Sequence, residues 1–252
     1  MDKIKIRGVN FDNVNMAEAL EKCETFINAD NGAHTIHTPN AEIVEMCVES
    51  TEKRNLINSA DLIIPDGSGV ILAGKILGTP LPKGKVAGIE LAENLVRLSG
   101  EKGFKIFLLG SKPANDEMPS VAERAKTNLL KKYPNANIVG TRDGYFKGKD
   151  DEVIEEINNS GADILFVCLG VPKQEEWMNE HKNQLKVKLM GGFGGSLDVF
   201  AGAVERAPDF YIKHNLEWLF RLKKEPSRIG RMMKLPKFIF GSVKDKIIRK
   251  KY

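Results

Sequence analysis

Cysteine is scarce in this chain. Three occur in 252 residues, Cys23, Cys47 and Cys168, far apart and without a Cys-x-x-Cys pair. That excludes a disulfide framework and a zinc ribbon and fits a reducing compartment. Metal patterns are missing too: His34, His37, His181 and His214 show no ligand spacing, and no Asp-x-Asp triplet occurs. No apolar run approaches the roughly 20 residues of a bilayer-spanning helix, which excludes an integral helical membrane protein. The opening Met1-Asp2-Lys3-Ile4-Lys5 starts an alternating pattern and not a signal peptide. Two glycine motifs fall short. Gly69-Val-Ile-Leu-Ala-Gly74-Lys75 resembles a phosphate loop, but Ile76 replaces the magnesium-binding Ser/Thr. Gly67-Ser-Gly69 and Gly192-Phe-Gly194 are followed by Leu72 and Leu197 where a dinucleotide fingerprint needs its third glycine. A Rossmann oxidoreductase is disfavoured.

What is present is ordinary globular composition, 42% hydrophobic and 29% charged. The length suits one large α/β domain with or without a small appendage. The net charge of +4 conceals a split. Residues 211–252 hold 13 Lys and Arg against 3 Asp and Glu, a net of +10, so the remainder carries −6. An acidic body thus ends in a basic tail, which seeks phosphate in nucleic acid, anionic lipid or a diphosphate substrate. The tail is also apolar, with Trp218, Leu219, Phe220, Phe238, Ile239, Phe240, Ile247 and Ile248. Basic and apolar residues at helical spacing favour a membrane interface over nucleic acid. The plainer reading is a helix docked on the core with solvated lysines. The composition break near Ala207-Pro208-Asp209 divides a core over 1–207 from an appendage over 208–252. Self-association into a homo-oligomer is an alternative use of the tail's apolar face.

Strands and helices alternate along the body. Strands are expected at Lys3–Val9, Ala33–Thr38, Asp61–Pro65, Phe104–Leu109, Asn137–Gly140, Ile164–Leu169 and Val187–Met190. Helices are expected at Met16–Ala29, from Asn40 to about Ser50, Gly69–Leu77, Ile89–Ser99, from Ser111 to about Tyr133, Asp150–Asn159 and Lys173–Lys182. Continuous apolar strands separated by helices predict a Rossmann-like, mainly parallel α/β sheet with helices on both faces, followed by the basic helical appendage.

In such sheets ligands bind beyond the C-terminal strand ends. Asp66 follows a buried strand and a proline, with Gly67 and Gly69 leaving space beside it. A carboxylate there can take a proton from a bound hydroxyl; as a Pro-Asp-Gly turn residue it would do nothing more than shape the chain. Thr38 and Asn40 are placed to hydrogen-bond a substrate, or to cap a helix. Gln174 lies on a first helical turn, where free amides attract anions, or is a solvated helix residue. The Gly191–Gly195 run allows close backbone approach, and Asp198 beyond it binds a ribose hydroxyl or caps a helix. Without a metal, arginines or helix N-termini must stabilise a leaving diphosphate. The tail offers Arg206, Arg221, Arg228 and Arg231.

Thr38-Pro-Asn40, Pro65-Asp66-Gly67, Gly170-Val-Pro-Lys-Gln174-Glu, Gly194-Gly-Ser-Leu-Asp198, Arg206-Ala-Pro208 and Leu216-Glu-Trp218-Leu-Phe-Arg221 through Glu225-Pro226-x-Arg228 together resemble the WecG/TagA/CpsF glycosyltransferases. The likeness runs in order from about Lys3 to Arg231. It implies an inverting, metal-independent glycosyltransferase without a cofactor. TagA-like members transfer N-acetylmannosamine from its UDP donor to undecaprenyl-diphosphate-linked N-acetylglucosamine, forming the β-1,4 linkage that starts wall teichoic acid assembly. The resemblance makes Asp66 the general base and has Thr38 and Asn40 line the sugar pocket. It puts Gln174 and Asp198 against donor or acceptor, and Arg221, Arg228 and Arg231 against diphosphate. It implies a UDP-sugar donor, a polyprenyl-diphosphate-linked sugar acceptor, no nucleic-acid partner, and a peripheral place on the cytoplasmic face of the cell membrane. Two positions depart from the family pattern: Glu90 replaces the usual aspartate, and Gly191-Gly-Phe-Gly-Gly195 replaces a Gly-Val-Gly-Gly run. Both are expected near the donor, which leaves N-acetylmannosaminuronic acid, glucose and glucuronic acid as alternative donor sugars.

Overall fold

In a computed structural model, which describes residues 2–214, 216–224, 230 and 233–249, the alternation of strand and helix emerges largely as the pattern predicts. In chain order the elements are β1 (Lys3–Ile6), β2 (Val9–Asp12), α1 (Met16–Ile27), β3 (His34–His37), α2 (Ala41–Glu49), α3 (Thr51–Asn58), β4 (Leu62–Ile63), α4 (Ser68–Leu77), α5 (Gly88–Lys102) and β5 (Ile106–Gly110). There follow α6 (Val121–Lys132), β6 (Ile138–Arg142), α7 (Asp150–Ser160), β7 (Ile164–Cys168), α8 (Lys173–His181), β8 (Leu189–Gly192), α9 (Ser196–Phe200), α10 (Asp209–Lys213), α11 (Glu217–Lys224) and α12 (Lys234–Arg249).

Three local expectations change. The single strand expected at Lys3–Val9 is a hairpin, with Ile6 opposite Val9 and Lys3 opposite Asp12. Arg7 and Gly8 take positive φ (45° and 95°), the two-residue geometry that reverses antiparallel strands. The helix expected to end near Ser50 is followed at once by α3. Ser50 closes α2 through its N–H to the Met46 carbonyl and opens α3 by accepting from the Lys53 N–H at 3.3 Å. The helix expected from Ser111 starts only at Val121. There Ser120 and Glu123 form a reciprocal capping box, just after Pro119.

The chain forms two units by internal contact. One comprises Met16–His37 and Gly88–Glu205. Its strands run parallel in the order β3-β8-β7-β5-β6. Every residue of β5 and β7 is buried, because helices cover a parallel sheet on both sides. Phe107 and Leu109 of β5 and Leu165 and Val167 of β7 join Trp177, Met178 and Met190 in one core. From β5 the chain passes outward to β6 and then returns to the opposite side at β7. That reversal lies between the C-terminal ends of β5 and β7, the usual place for a ligand in such sheets.

The other unit comprises Met1–Asn15, Thr38–Ala87 and Arg206–Tyr252. The Asp12 carboxylate accepts from the Ile63 N–H at 2.8 Å, tying the hairpin to β4. Helix α12 packs on α4 and α2 and buries Phe238 and Ser242 completely. The close approach depends on Gly69, where a Cβ would stand 2.8 Å from Leu235 Cδ1 and 3.0 Å from Ala41 Cβ.

Candidate active site

Of the residues singled out from the sequence, Thr38, Asn40 and Asp66 lie in the unit that carries the hairpin, and Gln174 and Asp198 lie in the sheet unit. In the unit that carries the hairpin, β4 runs into buried Ile64 and Pro65, and the chain then turns at Asp66-Gly67 into α4. Gly67 has φ +87° and ψ 152°, a conformation that side chains resist, and it occupies the N-cap without a side-chain cap. The turn therefore sets a half-buried Asp66 at the start of a helix, where the peptide dipoles favour a negative charge. Beside it, Asn40 caps α2 by accepting from the Ile43 N–H at 3.1 Å. A Cβ at Gly67 would lie 4.0 Å from Asn40 Cβ, so these two turns meet. Thr38, two residues before Asn40, is half-buried and has interactions of its own. Asn40 thus spends its oxygen on the cap and keeps its amide NH₂ as a donor.

In the sheet unit, Gln174 and Asp198 sit beyond the C-terminal ends of β7 and β8. Gln174 is 1% exposed, not a solvated helix residue. Its Nε2 donates to Glu175 Oε1 at 2.8 Å, and its Oε1 accepts from the Gly194 N–H at 3.1 Å. It therefore holds the glycine loop after β8. Gly192 is needed for this, since a Cβ there would stand 2.9 Å from Gln174 Nε2 and 3.1 Å from Met178 Cε. Phe193, the departure noted in this run, turns inward. It is buried edge-on against Phe166, with centroids 4.8 Å apart. Asp198, in α9, accepts from the Ser111 hydroxyl at 2.7 Å. Ser111 stands in the left-handed region, φ 62°, directly beyond β5. A non-glycine residue held there at such a strand end is a common mark of function. Cys168 closes β7, and burial pushes its thiol up to about 12, so it is no nucleophile.

Two of these residues were not singled out as site residues from sequence. From sequence Ser111 reads as a small polar residue at the strand-end rim and as the start of a helix. Its signal is a small polar residue at the end of a fully apolar strand. Glu175 reads from sequence only as part of a motif. It is 1% exposed, and no described residue bonds its Oε2. Burial pushes its carboxyl up from the ordinary range to about 7, opposed in part by the Gln174 amide. Below pH 4.5 the group is neutral folded and unfolded. As pH rises from about 4.5 to 7 the unfolded chain releases its proton first, so stability falls, by about 3 kcal/mol in total. Glu175→Gln is therefore expected to unfold at nearly the same urea concentration as the parent at pH 4 and at a distinctly higher one at pH 8. Parallel pH profiles of the two proteins would refute the assignment.

Of the tail arginines, Arg206 has interactions of its own and Arg221 lies within α11. Arg228 and Arg231 lie outside the described residues. Among the described residues no three His, Cys, Asp or Glu side chains gather at a spacing that holds a metal.

The glycosyl transferase WecG/TagA/CpsF family model matches residues 4–252. The chain belongs to that family. It is a glycosyltransferase on a Rossmann-like parallel sheet, and not a basic binding module or an oxidoreductase. An N-acetylglucosaminyldiphosphoundecaprenol N-acetyl-beta-D-mannosaminyltransferase of Staphylococcus aureus strain MRSA252 is 39% identical over 245 residues, 97% of this chain and 93% of the relative. The proteins of the same name from strains MW2 and NCTC 8325 are each 38% identical over the same shares. A carboxylate at a helix start is placed as a proton acceptor is, and a glycine loop at the strand ends of a parallel sheet allows close approach to its backbone.

Proposed function

We propose that this transferase moves N-acetylmannosamine from UDP-N-acetylmannosamine to the 4-hydroxyl of N-acetylglucosamine carried on undecaprenyl diphosphate, in the linkage step of wall teichoic acid synthesis. The observation that carries this reading is likeness over 97% of the chain to relatives whose name states both sugar and acceptor. The geometry supports the chemistry. Asp66 takes the proton as the acceptor oxygen attacks the anomeric carbon. The bond to the donor phosphate breaks, its electron pair leaves with UDP, and configuration inverts. Asn40 and Thr38 orient a sugar beside Asp66. Gln174 shapes the glycine loop, and Asp198, steadied by Ser111, binds a donor hydroxyl. Arg221, Arg228 and Arg231 neutralise diphosphate in place of a metal.

The acceptor is a lipid, and residues 208–252 act as a membrane-associating appendage. Helix α12 supports this reading. Phe240, Val243 and Ile247 are exposed along one face, flanked by Lys244 and Lys246. No helix among the described residues is long and apolar enough to cross a membrane. The protein then works peripherally, on the cytoplasmic face.

The test is UDP release in EDTA, with UDP-N-acetylmannosamine and a short-chain lipid-diphosphate N-acetylglucosamine acceptor. Acceptor-dependent release is expected. Release with UDP-glucose or a UDP-uronic acid, and none with UDP-N-acetylmannosamine, would transfer the reading to a capsule or exopolysaccharide enzyme with the same acceptor class. Silence with EDTA, relieved by magnesium, would overturn metal independence.

A further inference from the structure

Glu175 takes no part in the proposed reaction, yet it is buried beside the glycine loop that follows β8. Its side chain opens α8, and no described residue bonds its Oε2. A buried carboxyl with an unpaired oxygen costs stability, and an apolar side chain of the same size would pack there at lower cost. What the position supplies is an acceptor. Glu175 Oε1 takes the Gln174 Nε2 amide at 2.8 Å. A carboxamide has one donor end and one acceptor end. With the donor end held by Glu175, the acceptor end is turned to the Gly194 N–H, 3.1 Å away. Reversing the amide would set donor against donor at Gly194 and oxygen against oxygen at Glu175.

The loop held in this way has an open side. Phe193 is anchored inward, with its N–H on the Val167 carbonyl at 3.1 Å and its ring in the core. Ser196 closes the turn, its N–H and its hydroxyl both donating to the Phe193 carbonyl. Between these anchors a Cβ at Gly194 would meet nothing within 4 Å. A Cβ at Gly195 would lie 3.9 Å from Asp198 Oδ2, while Asp198 Oδ1 takes the Ser111 hydroxyl. The Cβ side of Gly194–Gly195 is therefore open, with a carboxylate oxygen at its edge, and the Gly194 amide is held from the protein side by Gln174. A glycine turn left unfixed has backbone freedom to lose when a ligand settles on it; a turn already fixed has not.

We propose that Glu175 is a positioning residue for the nucleotide-sugar donor: its Oε1 fixes the Gln174 carboxamide, which holds the Gly194 amide and presets the open face of Gly194–Gly195 beside Asp198. Glu175 acts through Gln174 and needs no contact with the donor. A buried carboxyl that lowers stability while ordering a binding loop is the pattern expected of a group kept for binding. The inference rests on the donor reading proposed above. Amide exchange keeps the two separable, because it needs no ligand.

Two variants of the full-length protein test it at pH 8. Glu175→Met fills the same space without an acceptor. Glu175→Gln keeps an oxygen able to accept from Gln174. Both remove the buried charge, so neither is expected to be less stable than the parent in urea. Glu175→Met is nevertheless expected to bind UDP about tenfold more weakly in calorimetric titration, the scale of one lost hydrogen bond. Its KM for the UDP-sugar rises in step while kcat at saturation holds, and amide exchange over residues 191–198 speeds up. Glu175→Gln is expected to return affinity, KM and exchange to parental values. Gln174→Met cuts the same link from its other end, so adding Glu175→Met to it is expected to cost no further affinity. Equal losses in Glu175→Met and Glu175→Gln would overturn the proposal by assigning the effect to charge. Additive losses in the double variant would overturn it too. UDP binding that Glu175→Met does not weaken would refute the positioning role and spare the donor reading. Faster exchange in Glu175→Met, with no UDP binding by the parent, would refute the donor reading and leave the hold on the loop in place.

Discussion

Replacing Asp66 with asparagine is expected to cut turnover by roughly 10²–10⁴, the usual worth of a general base, and to leave the fold intact. The side chains are nearly isosteric, and the turn is set by Gly67, whose positive φ needs no help from Asp66. The amide cannot accept the acceptor's proton, so kcat falls while donor affinity holds. Steady-state UDP release and thermal unfolding of the two proteins, measured side by side, decide the point. Near-parental turnover would remove Asp66 from its role. A collapse of thermal stability would make it a structural residue.

The second large effect concerns the attachment of α12. Arg7, at the hairpin turn, has a side chain only 7% exposed. Its Nη1 pairs with Glu45 of α2, and its Nε donates to Asp245 of α12 at 3.0 Å. Its guanidinium also lies over the Phe238 ring, 5.6 Å from the centroid. Gly241 leaves the space for it. Arg7→Ala leaves the Glu45 carboxylate, 3% exposed, with Lys237 at 3.7 Å as its one ion-pair partner among the described residues. Removing one partner of a buried ion pair costs about 3–5 kcal/mol. The expected result is a loss of that size in urea unfolding, with early proteolytic cleavage in 234–249. A loss below about 1 kcal/mol, the scale of an exposed pair, would show that α12 is held by Phe238 and Leu235 alone. If α12 carries the membrane face, vesicle binding falls with it.

These two residues differ in how far a sequence can announce them. Asp66 is legible because local chemistry places it. A short apolar run, a proline and a glycine make a strand end and a turn, whatever else the chain does. Asn40 is legible for the same reason, as a cap. Arg7 is not, since its partners lie 38 and 238 residues away, and a lone basic residue in a hairpin turn reads as solvated. Glu175 is hidden likewise. A Gln-Glu pair opening a helix looks polar and exposed, and only the sheet around it removes the water that would keep its carboxyl in the ordinary range.

By itself the sequence determined the alternation of strand and helix, the parallel sheet and the rim on which the candidate residues sit. It also determined the family, through ordered motifs over nearly the whole chain. These follow from short-range rules of periodicity, capping and turn geometry. Tertiary structure alone decided that Lys3–Asp12 is a hairpin, that Phe193 faces the core, and that Gln174 bonds inward to Glu175 and the glycine loop. It alone decided that α12 buries Phe238 and packs on α4 and α2. Each of these depends on which distant segment excludes water from a side chain, and burial is set by the whole packing and not by neighbours in the chain.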